Sequence, residues 1–217
     1  ILQYALKAEI LLTLLVCMTL GATCFVSERE NNTLESLLLT PVSKLSLTAS
    51  KYVGVLIIGG ILMLTATPYA LAISAGSGLW WKVLLLGFGA GGLLLLAFSA
   101  VSVILSVRME NSKASILVSA LCLAALCIPA FMSSIFTNSS FGRAVLAIDP
   151  VVCAFDLSKD VLTGMATAAT VASHLAPMVV FAAAAVILML LASKKVSLKG
   201  VLQIKVKPQT ARNDLHL

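Results

Sequence analysis

Charge is scarce in this sequence. Asp, Glu, Lys and Arg together make up 11% of its 217 residues and aromatic residues only 6%, whereas soluble domains carry roughly a quarter charged residues. The scarcity is sharpest inside the long apolar runs, which hold no charged residue at depth. An intramembrane enzyme needs paired ionisable groups there, a histidine with a carboxylate for a metal or a serine with a base, and none is present. His174 stands alone at the edge of an apolar run, and His216 lies in the C-terminal tail. The same emptiness removes the ion or proton relay of a secondary transporter. No G-x-x-x-x-G-K-(S/T) run occurs, so this chain does not hold ATP in a phosphate-binding loop of its own. Four cysteines, Cys17, Cys24, Cys122 and Cys127, lie in apolar runs and Cys153 in a connection. Without ligand spacing they read as small buried hydrophobes, and no metal site is expected. The net charge of +6 is dispersed or set beside apolar runs, with no basic face interleaved with aromatics, so nucleic acid is not an expected partner.

What is abundant is grease. The chain is 60% hydrophobic with a mean hydropathy of +1.07, the composition of an integral membrane protein. A bilayer core of about 30 Å takes about 20 apolar residues as a helix, and five runs qualify: about 10–26, 52–75, 83–107, 114–135 and 175–193. Lys7 and Glu9 sit at the outer end of the first, where a lysine snorkels to headgroups. Pro68 should kink the second, which a bundle tolerates when neighbours satisfy the freed carbonyl. Trp80 and Trp81 beside Lys82 read as an interfacial anchor, with a substrate-stacking platform as the alternative. Gly87 and Gly91, in G-x-x-x-G spacing, predict close helix packing in the third span. Asp149 followed by Pro150 predicts a helix start and Gly164 its stop, giving a helix over about 150–163. Its wet side of Asp156, Lys159 and Asp160 predicts a position in or near the outer interface. Residues 194–217 are a basic tail too poor in apolar periodicity to build a domain.

Between the first two spans lies a polar, helix-prone stretch, Glu28 to Pro41. Asn32 precedes Glu35 by three residues, the spacing of a helix cap, and Leu34, Leu37 and Leu38 share one face. Pro41 ends the pattern, predicting a short helix over about 32–39. Placing this stretch, the Arg108–Lys113 turn and the tail on one side collects eleven lysines and arginines there and leaves four on the other, which predicts a cytoplasmic stretch and C-terminus. On composition alone the stretch also reads as an amphipathic loop lying on lipid.

The run ERENNTLESLLLTPVSKLSLTASK resembles the pattern E-R-E-x-x-T-L-E-x-L-L-x-(T/S)-P, followed by a lysine, of type-2 ABC exporter permeases. The dense part of the resemblance covers Glu28 to Lys51; elsewhere only span order and loop lengths agree. It implies an all-α membrane permease domain over 1–193 in a bacterial or archaeal inner membrane, with the short helix as a coupling helix gripped by a separate cytoplasmic ABC ATPase. ATP and Mg would sit on that partner, this chain itself being no enzyme and carrying no cofactor. A second permease copy, identical or related, would complete the transporter. Glu28, Arg29, Glu30, Asn32, Thr33, Leu34, Glu35, Leu37, Leu38, Pro41 and Lys51 would form the coupling site. The family has six spans, so the resemblance implies a helix ahead of Ile1. A haem-export-like permease shares part of the run, and a non-transporting membrane scaffold shares the spans without needing the ATPase.

Overall fold

The computed structural model describes residues 2–31, 33, 43–76, 78–132, 137 and 139–193. Among them every regular element is helical. α1 spans Leu2–Thr23, α2 Val26–Glu30, α3 Lys44–Ser74, α4 Trp80–Leu86, α5 Gly92–Arg108, α6 Ser112–Phe131, α7 Ser140–Ile148, α8 Pro150–Thr163 and α9 Ala168–Ser193. Five stretches are long and apolar enough to cross a membrane: Leu2–Glu30, Lys44–Ser74, Trp80–Arg108, Ser112–Phe131 and Ala168–Ser193. The protein is an all-α integral membrane bundle.

The bundle is built around α1 and α5, which pack on each other; α3 and α6 lie against both, and α9 covers α5. On α1 the inward stripe is Leu6, Ile10, Leu14 and Met18, all at most 1% exposed, four residues apart as a helix face requires. It meets Leu94, Ala97 and Phe98 of α5 and Met178 and Ala182 of α9 in one core cluster. Lipid is as apolar as leucine, so close approach rather than hydrophobicity decides which faces meet. Gly21 marks one such approach: a methyl group on it would lie 1.9 Å from Ser102 Oγ. Gly59 of α3 marks another, where the same methyl would lie 2.5 Å from Leu95 and 2.8 Å from the Cys17 sulfur.

The first helix extends ahead of the run 10–26, and its early lysine has a partner within the fold: Lys7 Nζ lies 4.8 Å from the Phe155 ring centre. The third crossing is interrupted by a π-helical turn, Gly87–Gly91, that joins α4 to α5. α3 runs through Pro68, and just before it the Thr67 hydroxyl donates to the Met63 carbonyl at 2.9 Å. α6 ends at Phe131, and residues 133–135, the end of the expected fourth run, lie outside the described residues, as does the tail 194–217.

α8 starts where the Asp149 carboxylate accepts from the N–H groups of Val151 at 2.9 Å and Val152 at 3.3 Å, with Pro150 in the first turn. It stops at Gly164, whose φ of +76° is a left-handed conformation that glycine adopts without strain. The helix is covered by its neighbours on more than the one apolar face that the sequence pattern suggests. Pro150 to Phe155 are six consecutive buried residues, covering every side of the helix, and α8 packs on α9, α6, α1 and α4. α7, which sequence periodicity did not single out, precedes it and keeps Phe141 and Ile148 exposed.

Candidate functional site

The polar stretch singled out in the sequence leaves the bundle through α2. The chain breaks between α1 and α2 because a side chain is inserted there: Ser106 Oγ of α5 accepts from the backbone N–H of Phe25 at 2.9 Å and of Val26 at 3.3 Å. An inserted hydroxyl is an established cause of such a break, and it satisfies donors that a new helix start would otherwise orphan. Ser115 of α6 adds a second stitch, donating to the Ala22 carbonyl at 2.7 Å. Phe25, 1% exposed, then plugs a small cluster with Leu47 of α3, Ala100 and Val103 of α5 and Met189 of α9.

Three charged residues follow, and each is engaged within the chain. Glu28 pairs with Lys51 of α3 through one carboxylate oxygen; its other oxygen is buried with no hydrogen-bond partner among the described residues. The Arg29 guanidinium donates to the Met109 carbonyl at 2.7 Å and the Val107 carbonyl at 3.3 Å, at the C-terminal end of α5. Glu30 accepts from the Ser112 backbone N–H at 2.8 Å and from the Ser112 hydroxyl, at the N-terminus of α6. Thr33 turns back on α2, its N–H donating to the Glu28 carbonyl at 3.0 Å. Thus Glu28, Arg29, Glu30, Thr33 and Lys51 are gathered at one end of the bundle, beside the α5–α6 turn. Asn32, Leu34, Glu35, Leu37, Leu38 and Pro41, and with them all of the expected helix 32–39 but Thr33, lie outside the described residues.

Compared with known families, residues 2–191 match the model of the ABC-2 family transporter protein. The chain belongs to the ABC-2 transporter family. It is therefore a membrane permease of an ABC transporter, a transport component and not itself the catalytic one. No curated protein and no solved structure matches it.

The two glycines of the G-x-x-x-G pair occupy different settings in this ABC-2 permease. A methyl on Gly91 would meet Met63 at 3.0 Å and Ile10 at 3.3 Å, whereas one on Gly87 would have no neighbour within 4 Å. Both glycines lie in the π turn Gly87–Gly91, and only Gly91 stands where other helices approach closely.

The opposite end of the permease carries a second group of polar side chains among the described residues. A depression of about 340 Å³ is lined by Arg143 and Ala147 of α7, Cys153 and Asp156 of α8, and Ser173 and His174 of α9, among others. His174 Nε2 lies 3.5 Å from an Asp160 carboxylate oxygen, and Lys82 Nζ donates to the Val161 carbonyl at 3.4 Å. Burial pushes the Asp149 carboxyl above its usual range, against the pull of the two N–H groups it caps. Burial, reinforced by Asp149 and Asp156, pushes the Cys153 thiol up to about 11, so at neutral pH it is protonated and a poor nucleophile. Among the described residues no three His, Cys, Asp or Glu side chains converge as a metal site. Trp80 and Trp81 are half exposed, with Lys82 Nζ 5.7 Å from the Trp81 ring centre.

Sequence reasoning missed the partners that hold the signature end together: Ser106, Ser112, Ser115 and the carbonyls of Val107 and Met109. One signal was there to be read. Ser99, Ser102 and Ser106 stand three and four residues apart in an otherwise apolar run and are all fully buried, a small polar stripe on the side of α5 that meets α1. The carbonyls had no signal, because every residue carries one.

Proposed function

We propose that this permease is the membrane half of an ATP-driven exporter whose engine is a separate cytoplasmic ABC ATPase. ATP and Mg are held by that ATPase, which grips the stretch Glu28–Pro41 as a handle. Two permease copies, identical or related, flank the cargo path. Spans without charge suit a hydrophobic or amphipathic cargo moving outward.

The observation that carries this reading is the position of the handle's two roots. α2 ends at Glu30 and α3 begins at Lys44, and both roots are tied to each other through the Glu28–Lys51 pair and stand beside the α5–α6 turn. A body docked on the intervening residues therefore has hold of two spans at once. The excess of lysine and arginine on the loops of this end supports a cytoplasmic location, and leucines three and four apart suit a groove in a protein partner.

The test is Leu37→Asp in the membrane-inserted permease. The expected outcome is that an ABC ATPase co-purifies with the unaltered permease and is lost from the variant, with insertion unchanged. Association that survives the substitution overturns the handle and favours a scaffold.

A further inference from the structure

We propose that Glu28, Arg29, Glu30 and Lys51 are not read by the ATPase but form an internal clasp. They are positioning residues that fuse the root of the handle to the ends of α3, α5 and α6. The proposal rests on the reading that an ATPase docks on the handle; it reassigns which of the signature residues do the docking.

The order of charges in the E-R-E triplet is what the clasp requires. A helix carries partial negative charge on its last carbonyls and partial positive charge on its first N–H groups. Arg29 lies on the carbonyls of Val107 and Met109, at the negative pole of α5. Glu30 lies on the Ser112 N–H, at the positive pole of α6. Two neighbouring residues of opposite sign thus bridge the two poles that meet at one tight turn. Exchanging them would set each charge against its own sign without altering composition or net charge.

Glu28 is committed inward. One oxygen is on Lys51 and the other is buried, so neither is presented to an incoming protein surface. Glu30 is exposed, but each of its carboxylate oxygens already accepts from Ser112, one from the N–H and one from the hydroxyl. Charge-assisted contacts of this kind are shorter and stronger than neutral ones. Among the described residues, α1 follows the clasp through α2, α3 through Lys51, and α5 and α6 through Arg29 and Glu30. Among the described residues, no hydrogen bond or ion pair joins these four to α9, the remaining candidate span. A pull on the handle leucines is therefore delivered to four spans as one body rather than to the two that flank the loop.

A charge-exchange cycle on the permease–ATPase complex tests this. E28K, K51E and the double variant E28K/K51E are compared for ATPase co-purification and for permease-stimulated ATP hydrolysis, with thermal unfolding of each permease alone in nanodiscs as the control for folding. The clasp predicts that all three retain the ATPase. It predicts a roughly tenfold loss of stimulation in each single variant and recovery to within about twofold in the double, because the pair is satisfied again. A double variant no better than the singles overturns the clasp, since it means the partner reads Glu28 or Lys51 directly; so does loss of ATPase from the singles.

Glu30→Gln keeps size and removes only the charge on the α6 pole, and it serves if the reversals do not fold. A drop of about threefold in stimulation with unchanged ATPase binding is expected, and unaltered stimulation overturns the proposal. Should no ATPase accompany even the unaltered permease, the handle reading falls, and the clasp loses its role in coupling with it. Recovery of thermal stability in the double variant would then establish the Glu28–Lys51 pair alone.

Discussion

The seam between α1 and α5 and the outer faces of α3 and α6 are made of much the same residues, yet they end up in opposite places. Half of the most apolar window of the first span and 61% of that of the third are buried, against 17% and 22% for the second and fourth. Hydropathy does not separate the four, because each is an almost unbroken run of leucine, valine, isoleucine and alanine. The seam is distinguished by small and hydroxyl-bearing residues: Gly21 against Ser102, and Ser106 in the break beyond Thr23. In a bilayer, where greasy side chains gain nothing by leaving lipid, contact and hydrogen bonding select the inner face. Ile57, Ile61 and Leu64 on α3 and Leu117 and Leu121 on α6 stay exposed, and Gly60 beside Ile61 has nothing within 4 Å of an added methyl: a small residue marks a seam only where another helix comes up to it.

The largest way to break this contrast is to widen the seam. Gly21→Leu forces a branched side chain into Ser102 and should cost about 3 kcal/mol or more, seen as a collapse in thermal stability and in the yield of monodisperse protein. Next comes Ser106→Ala, which keeps the volume nearly constant but strips the acceptor from two buried N–H groups; a loss of about 1–3 kcal/mol in unfolding is expected. The smallest effect separates two neighbours on α3. Gly60 has no atom within 4 Å of an added methyl whereas Gly59 does, so Gly60→Ala should leave stability unchanged or raise it by up to about 1 kcal/mol. A marked loss from Gly60→Ala, with the permease otherwise intact, would show that the outer face of α3 is covered by another molecule in the membrane.

Much of this architecture is legible without coordinates. The five apolar runs announce five crossings, and Asp149, Pro150 and Gly164 mark both ends of α8, because capping chemistry is local and written in residue type. How far the other helices cover α8 was not legible. Its Asp156, Lys159 and Asp160 give it an amphipathic pattern, but the burial of Pro150 to Phe155 depends on four other helices, three of them far away in the chain. The signature end divides in the same way. Glu28, Arg29, Glu30 and Lys51 stand out as charges in a greasy sequence, whereas their partners on α5 and α6 are two backbone carbonyls and a serine that no pattern distinguishes. Gly87 and Gly91 divide too: the spacing points to close packing in this span, and the close neighbours Met63 and Ile10 stand at Gly91 and not at Gly87.

That π turn has a consequence for the segment before it. A turn holding one residue too many advances everything on its N-terminal side by about 100° around the axis relative to an uninterrupted helix. The direction in which Trp80 and Trp81 face is thus set by a stretch rich in glycine, and not by the tryptophans' own surroundings. Removing a single residue, Gly89 for example, would let the whole of Trp80–Arg108 wind evenly and swing both indoles onto a different neighbour while leaving the seam of α5 in register.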